Sequence, residues 1–145
     1  MRVLRNPVTN WLLGGVANVF LNVMFQDLTL QQLTPEILGN YKADYPTIRS
    51  RIAVRTFPRE VPFDGFPKCS YDIVTNYIDW IAQTDIPMIL FHGDDGVAIK
   101  ADEVQWLRDS VTNLEVVDVG HGKHFLQETH PHVIGSNIAR WRAAL

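Results

Sequence analysis

The run Leu114-Glu115-Val116-Val117-Asp118-Val119-Gly120-His121-Gly122-Lys123-His124-Phe125-Leu126-Gln127 begins as a strand and ends as a loop. Apolar, β-branched residues up to Val119 predict a strand packed inside a sheet, and Gly120 and Gly122 let the chain turn sharply without Cβ clashes. His124 follows where the loop gives way to a short helix. A strand end in an α/β sheet opens onto a cleft, and close approach of the glycine backbone carries the imidazole toward a ligand. An unperturbed pKa of roughly 6.5 suits a histidine to proton abstraction near neutrality. His124 is therefore the candidate base, although its position alone is equally compatible with a capping or packing role.

Outward from this loop, the preceding residues complete one structural unit. Residues 86–91, Ile-Pro-Met-Ile-Leu-Phe, form an unbroken apolar run of the kind found in parallel strands buried on both faces, and Gly93-Asp94-Asp95-Gly96 ends it. A helix over 101–111 then leads to the strand 114–119, giving strand, helix, strand with a right-handed crossover expected. A last helix from Pro131 carries Ile134, Ile138, Trp141 and Leu145 at helical spacing, a stripe expected in the core.

The N-terminal part reads as helical. Residues 9–25 repeat apolar side chains near the helical period, and Gly14-Gly15 predicts a kink or a close packing contact there, each glycine costing roughly 1 kcal/mol relative to alanine. Thr34-Pro35-Glu36 resembles an N-cap with proline at the first helical position, opening a helix to Tyr41. A third helix is expected over 46–56. The breaker-rich segment 57–67 reads as a subdomain boundary, after which Ser70 is expected to cap a helix with Ile73, Val74, Tyr77, Ile78 and Ile81 on its apolar side. The expected division is residues 1–56, helical, and 57–145, α/β. Two parallel strands cannot form a stable open sheet by themselves. Either another chain supplies strands, or these residues are the C-terminal part of a larger protein.

With 145 residues, 46% of them hydrophobic and 20% charged, the composition is that of an ordinary globular domain. A net charge of −3 with scattered Lys and Arg offers no field for phosphate backbones, so nucleic acid is not an expected partner. Cys69 is the single cysteine, and a reducing compartment is the simpler expectation. Asn6-Pro7 interrupts the N-terminus where a signal peptide would be apolar, and no run is long enough to span a bilayer. The expectation is a cytoplasmic protein without membrane contact.

A strand ending in an acidic loop, a helix, and a strand ending in a histidine loop match the last third of an α/β-hydrolase layout, where nucleophile, acid and base follow in chain order. In that logic a carboxylate fixes the base's tautomer and steadies its imidazolium. Asp94 and Asp95 are the available acids, and a solvated turn is the alternative use of both. No Gly-x-Ser-x-Gly or Gly-x-Asp-x-Gly elbow occurs, and Ser50, Ser70, Ser110 and Ser136 fall in helices or at their ends. Cys69 precedes a helix and is expected to be inert. His121-x-x-His124 and His130-x-His132 lack the further donors a structural zinc site needs, so no metal is expected. Gly120-x-Gly122 does not continue as a dinucleotide fingerprint, and no cofactor is expected.

Gly120-His121-Gly122-Lys123-His124-Phe125-Leu126-Gln127-Glu128, followed by Ile134-Gly135-Ser136-Asn137-Ile138-Ala139-Arg140-Trp141, closely resembles the C-terminus of haloalkane dehalogenases. Asn18-Val19-Phe20 leading to Leu33-Thr34, Phe57-Pro58-Arg59-Glu60-Val61-Pro62, and residues 86–91 with Gly96-Val97 fall in the same family's order. The resemblance covers essentially the whole chain, from the middle of the helical cap to the end of the core, and extends to the coelenterazine-using luciferases.

The resemblance implies an enzyme in which an aspartate attacks a carbon–halogen bond of a small halogenated aliphatic substrate, displacing halide. His124 would then activate water to hydrolyse the alkyl ester to an alcohol. Phe20 and Pro58 match cap residues at the halide end of the pocket. Met24, Leu28, Val97, Ala98 and Phe125 match pocket or tunnel positions, where apolar walls desolvate the attacking carboxylate; each also has a plain packing role open to it. The family's nucleophilic aspartate, its halide-binding asparagine and the catalytic glutamate of the most similar subgroup would all precede Met1. Some relatives place the acid after the strand ending at Gly93, but there the matching residue is Gly96.

The expected reading is thus the cap and C-terminal part of a haloalkane dehalogenase, truncated and inactive alone. A companion chain, or self-association through the exposed strand edge, would complete the sheet. The alternatives are a related epoxide or ester hydrolase or luciferase-like oxygenase on the same scaffold, and a truncated, non-catalytic interaction module.

Overall fold

The computed structural model describes residues 5–145. They form two compact units, one from residues 5–27 with Gln32–Asn76 and the other from Leu28–Gln31 with Tyr77–Leu145.

The first unit is helical. Asn6 caps helix α1, Pro7–Asn10, by accepting from the Val8 and Thr9 amides at 3.0 and 3.2 Å. The expected continuous helix over 9–25 is instead two π-helical segments, Trp11–Val16 and Phe20–Met24, the second running into α2, Phe25–Asp27. The break lies at Asn18, a buried residue with φ 48°, and not at the glycines. Asparagine is one of the few non-glycine residues that enters this left-handed region readily. Gly14 serves close packing: a Cβ there would stand 2.7 Å from Cβ of Arg55. Leu21, Phe25 and Leu33 are the buried apolar residues of this unit.

Helix α3, Pro35–Ala43, starts as expected, with the Thr34 hydroxyl accepting from the Ile37 amide at 3.3 Å. Removing that cap by Thr34→Ala is expected to lower stability by about 1 kcal/mol, read as a lower urea midpoint at unchanged m-value. The third helix is displaced from its expected bounds: α4 spans Ile52–Glu60. Reciprocal bonds between Thr47 and Ser50 hold the preceding residues in turns, where short polar side chains compete with helical backbone bonding. At its other end α4 runs through Pro58 into the segment expected to break. Pro58 sits in the last turn, so only the Val54 carbonyl loses its helical donor. Helix α5, Lys68–Gln83, begins two residues before Ser70, whose hydroxyl donates to Glu60 at 3.3 Å and does not cap the helix.

The second unit holds the sheet. Strands β1, Met88–His92, and β2, Leu114–Asp118, pair in parallel, with Met88 opposite Leu114 and His92 opposite Asp118. Helix α6, Ala101–Ser110, makes the crossover between them, its first turn closed by the Lys100 amide donating to Glu103 at 2.9 Å. Val104, Val111 and Val119 are buried around this crossover. Helices α7, Leu126–Thr129, and α8, Pro131–Ala143, complete the unit, and Arg140 of α8 pairs with Glu115 of β2. Two expectations of burial change. Every residue of β1 is half-buried, and on the α8 stripe Ile134 and Trp141 are half-buried while Ile138 and Leu145 are exposed. Among the described residues, both outer edges of the two-stranded sheet are unpaired, and part of the apolar stripe is uncovered. No single described helix is long and apolar enough to cross a membrane.

Candidate active site

The site lies where β1 and β2 end side by side. Parallel strands present their carboxyl ends on one edge, so the loops that follow them meet. The pairing continues past the strands: the Val119 amide donates to the His92 carbonyl at 2.9 Å, and the Asp94 amide to the Gly120 carbonyl at 3.1 Å. Gly120 has φ +83°, a conformation side chains disfavour, and its amide donates to Asp118 Oδ1 at 2.8 Å. Gly122 is buried, and a Cβ there would meet Leu126 Cδ2 at 2.5 Å.

This turn presents His124. Its ring is exposed, lies edge-on to Phe125 with centroids 4.9 Å apart, and makes no hydrogen bond among the described residues. The backbone is held more firmly, since the His124 and Phe125 amides both donate to the Leu28 carbonyl, at 3.1 and 3.2 Å. An open cleft of about 150 Å³ runs in front of the ring, lined by His92, Val97, Ala98, Ile99, Lys123 and His124 among others. Of the residues singled out from the sequence, His124, Val97 and Ala98 thus share one cavity. Leu28 and Phe125 adjoin it through the backbone bonds and ring contact just described. Phe20, Met24 and Pro58 belong to the first unit, where they line a separate small cavity of about 20 Å³ together with Asn10 and Arg55.

Asp94 is engaged by the histidine loop. Its Oδ1 lies 3.1 Å from His121 Nδ1 and accepts from the Gly122 amide at 3.3 Å. Slight desolvation would raise its pKa, but the His121 hydrogen bond, the Gly122 amide, the His121 charge and the Asp95 amide outweigh it and hold the carboxyl of this exposed residue below its ordinary value. Asp95 is exposed and its carboxylate makes no hydrogen bond among the described residues. His121 and His130, considered above as metal ligands, have other partners: His130 Nε2 donates to the His121 carbonyl at 2.8 Å. Among the described residues no three His, Cys, Asp or Glu side chains are grouped to hold a metal. Two participants escaped the sequence reading. His92 lines the cleft with a buried Nε2 that has no hydrogen-bond partner, and Asp118 closes the turn. His92 is the polar residue that interrupts an apolar strand at its carboxyl end, and that position was its one available signal.

A parallel strand–helix–strand unit whose last strand delivers a histidine loop, accompanied by flanking helices, is a portion of an α/β-hydrolase fold. More narrowly, this chain is similar to haloalkane dehalogenases over nearly all of its own length. It is 30% identical over 138 residues to a haloalkane dehalogenase of Agrobacterium fabrum, covering 95% of this chain and 45% of that protein. A haloalkane dehalogenase of Bradyrhizobium diazoefficiens is 30% identical over 129 residues, 89% of this chain and 42% of its own length. The crystal structure of haloalkane dehalogenase DbeA from Bradyrhizobium elkani superposes with a TM-score of 0.93 at 28% identity, over 99% of this chain and 49% of that one. This chain therefore spans less than half the length of the curated relatives it matches. No protein-family model matches it.

Proposed function

We propose that these residues supply the catalytic base and pocket walls of a haloalkane dehalogenase, and that the nucleophile comes from polypeptide outside them. The observation that carries this reading is His124, exposed at the end of β2 on a cleft that it shares with Val97 and Ala98. In the reaction, a carboxylate oxygen of an aspartate bonds to the carbon bearing the halogen, and the carbon–halogen bond breaks with its electron pair leaving as halide. His124 then takes a proton from water, and the resulting hydroxide attacks the ester carbonyl carbon. The ester bond to the alkyl oxygen breaks, the alkoxide takes the proton from His124 and departs as alcohol, and the aspartic acid left behind gives its proton to solvent, restoring the carboxylate. An unencumbered imidazole ring suits that exchange.

Residues 1–56 are read as part of the cap and 57–145 as part of the core. By the resemblance, Phe20 and Pro58 would correspond to halide-end positions, and Met24, Leu28, Val97, Ala98 and Phe125 to pocket or tunnel positions. Asp95 is the carboxylate of the acidic loop left uncommitted, since Asp94 is taken by the histidine loop. With no Gly-x-Asp-x-Gly elbow in the 145 residues, the chain alone is expected to release no halide from 1-bromobutane or 1,2-dibromoethane above a His124→Ala control. Sustained, His124-dependent halide release by the isolated chain would overturn the assignment of the nucleophile to another polypeptide.

A further inference from the structure

We infer that Asp94 is a positioning residue: with His121 it clasps the histidine loop to the loop after β1 and so fixes where His124 stands. The inference rests on the reading of His124 as base, and adds a device that sets its position.

The geometry is that of a staple with several legs. Asp94 holds the opposite loop through both backbone and side chain, its amide donating to the Gly120 carbonyl at 3.1 Å and its Oδ1 meeting His121 Nδ1 at 3.1 Å and the Gly122 amide at 3.3 Å. Three consecutive residues of the histidine loop are thus engaged by one residue of its neighbour. His121 is held from the other side too, its carbonyl accepting from His130 Nε2 at 2.8 Å. Beneath the clasp the backbones touch, because Gly93 leaves no side chain between itself and the Gly120 and Gly122 carbonyls. On the far side the His124 and Phe125 amides are tied to the Leu28 carbonyl. Between these anchors only Lys123 intervenes, so the His124 Cα has little room to move while the clasp is closed.

A ring this exposed, with no hydrogen bond of its own, draws its placement from its backbone. Geometry at a reacting centre is costly to lose, since small misplacement of a catalytic group can remove orders of magnitude in rate. The charged groups around Asp94 are His121 on the loop it clasps, Asp95 beside it, Asp118 at the end of β2, which faces the Gly120 amide, and His130, which faces the His121 carbonyl. A carboxyl held below its ordinary value contributes its bonds in full above the unfolded-state pKa and loses them as the pH falls through the folded one. The bonds that the Asp94 carboxylate makes to the histidine loop are therefore lost as it protonates in acid.

The test uses ¹⁵N-labelled chain without any turnover, so the clasp and the proposed enzymatic role can fail separately. Amide exchange is read at Gly122 and His124, with ring resonances of His124, in wild type and in the Asp94→Ala, Asp94→Asn and His121→Gln variants. Loss of the acceptor in Asp94→Ala is expected to speed Gly122 exchange at least about tenfold and to shift or broaden the His124 ring signals. Asp94→Asn keeps an acceptor for Gly122 and is expected to restore most of that protection. It is also expected to remove the part of the acid-induced change at the Gly122 amide that follows protonation of the Asp94 carboxylate. Core amides such as Val104 serve as the control for global stability. Unaltered His124 signals in a folded Asp94→Ala chain would overturn the inference. If Asp94→Ala does not fold, His121→Gln decides, because it removes the ring contact and leaves the Asp94 bonds to backbone: displaced His124 signals support the clasp, and unchanged ones refute it.

Discussion

His124→Gln, introduced into an enzyme assembled with its nucleophilic aspartate, is expected to release about one equivalent of halide per site and then nearly stop. The first half of the reaction, displacement of halide by carboxylate, asks nothing of a base. The second half needs water made nucleophilic, and positioned general-base catalysis is worth roughly 10²–10⁴-fold. Removing it slows ester hydrolysis by that factor while leaving ester formation nearly intact, so the alkyl-enzyme accumulates. Glutamine preserves hydrogen-bonding capacity but cannot accept the proton, and the exposure of the His124 ring makes the change mild for the fold. Ion chromatography would show the halide burst, and intact mass would show the alkyl adduct on the nucleophile's polypeptide. Unchanged steady turnover with no adduct would remove His124 from the mechanism.

How much of this was legible beforehand depends on what kind of interaction fixes each element. The strand–helix–strand unit could be read because apolar runs, a polar helix face and glycine-bearing loops all point one way, and the observed strands begin or end within two residues of their expected bounds. The cap of α3 could be read because Thr34-Pro35 acts locally. The bounds of α4 could not, since the start depends on the Thr47–Ser50 side-chain bonds and the end on a proline that costs little in a last turn. The break at Asn18 was hidden for another reason: glycine is the stronger signal for a kink, and only the approach of Arg55 reveals that Gly14 is there for space.

The site divides in the same way. His124 was singled out from its place in the strand-end loop and Val97 and Ala98 through the resemblance, and the cleft they share follows from the parallel pairing that sets the two loops side by side. The partner of Asp94 was not legible. Asp94 and His121 are 27 positions apart, and in the sequence His121 drew notice only as a metal-ligand candidate set aside for want of further donors. Only the register of β1 against β2 decides which loop residues face one another. Pro58 lies far in sequence from Phe20 and Met24, which share one helical segment, yet all three line one cavity, a grouping that helical packing brings about.

That register also leaves Gly93 little able to change. Gly93→Ala is expected to destabilise the chain by about 1–3 kcal/mol, toward the upper end of what overpacking costs. An added Cβ would stand 2.8 Å from the Gly122 carbonyl oxygen, 3.0 Å from that of Gly120 and 3.1 Å from Leu126 Cδ2. A flexible side-chain end can swing aside, as Leu126 can for a Cβ on Gly122, but carbonyl oxygens move only with their backbone. Moving that backbone draws Gly120 away from the Asp94 amide, and the Gly122 amide away from the Asp94 carboxylate. The substitution therefore strains packing and hydrogen bonding together. With an m-value of roughly 1–3 kcal/mol/M in urea, the midpoint should fall by about 1 M. Gly135→Ala is the matched control, because nothing lies within 4 Å of a Cβ built there and its place in α8 favours alanine. A Gly93→Ala chain with the wild-type midpoint would show that the two loops separate at little cost, and would deprive the histidine loop of its firm seat against β1.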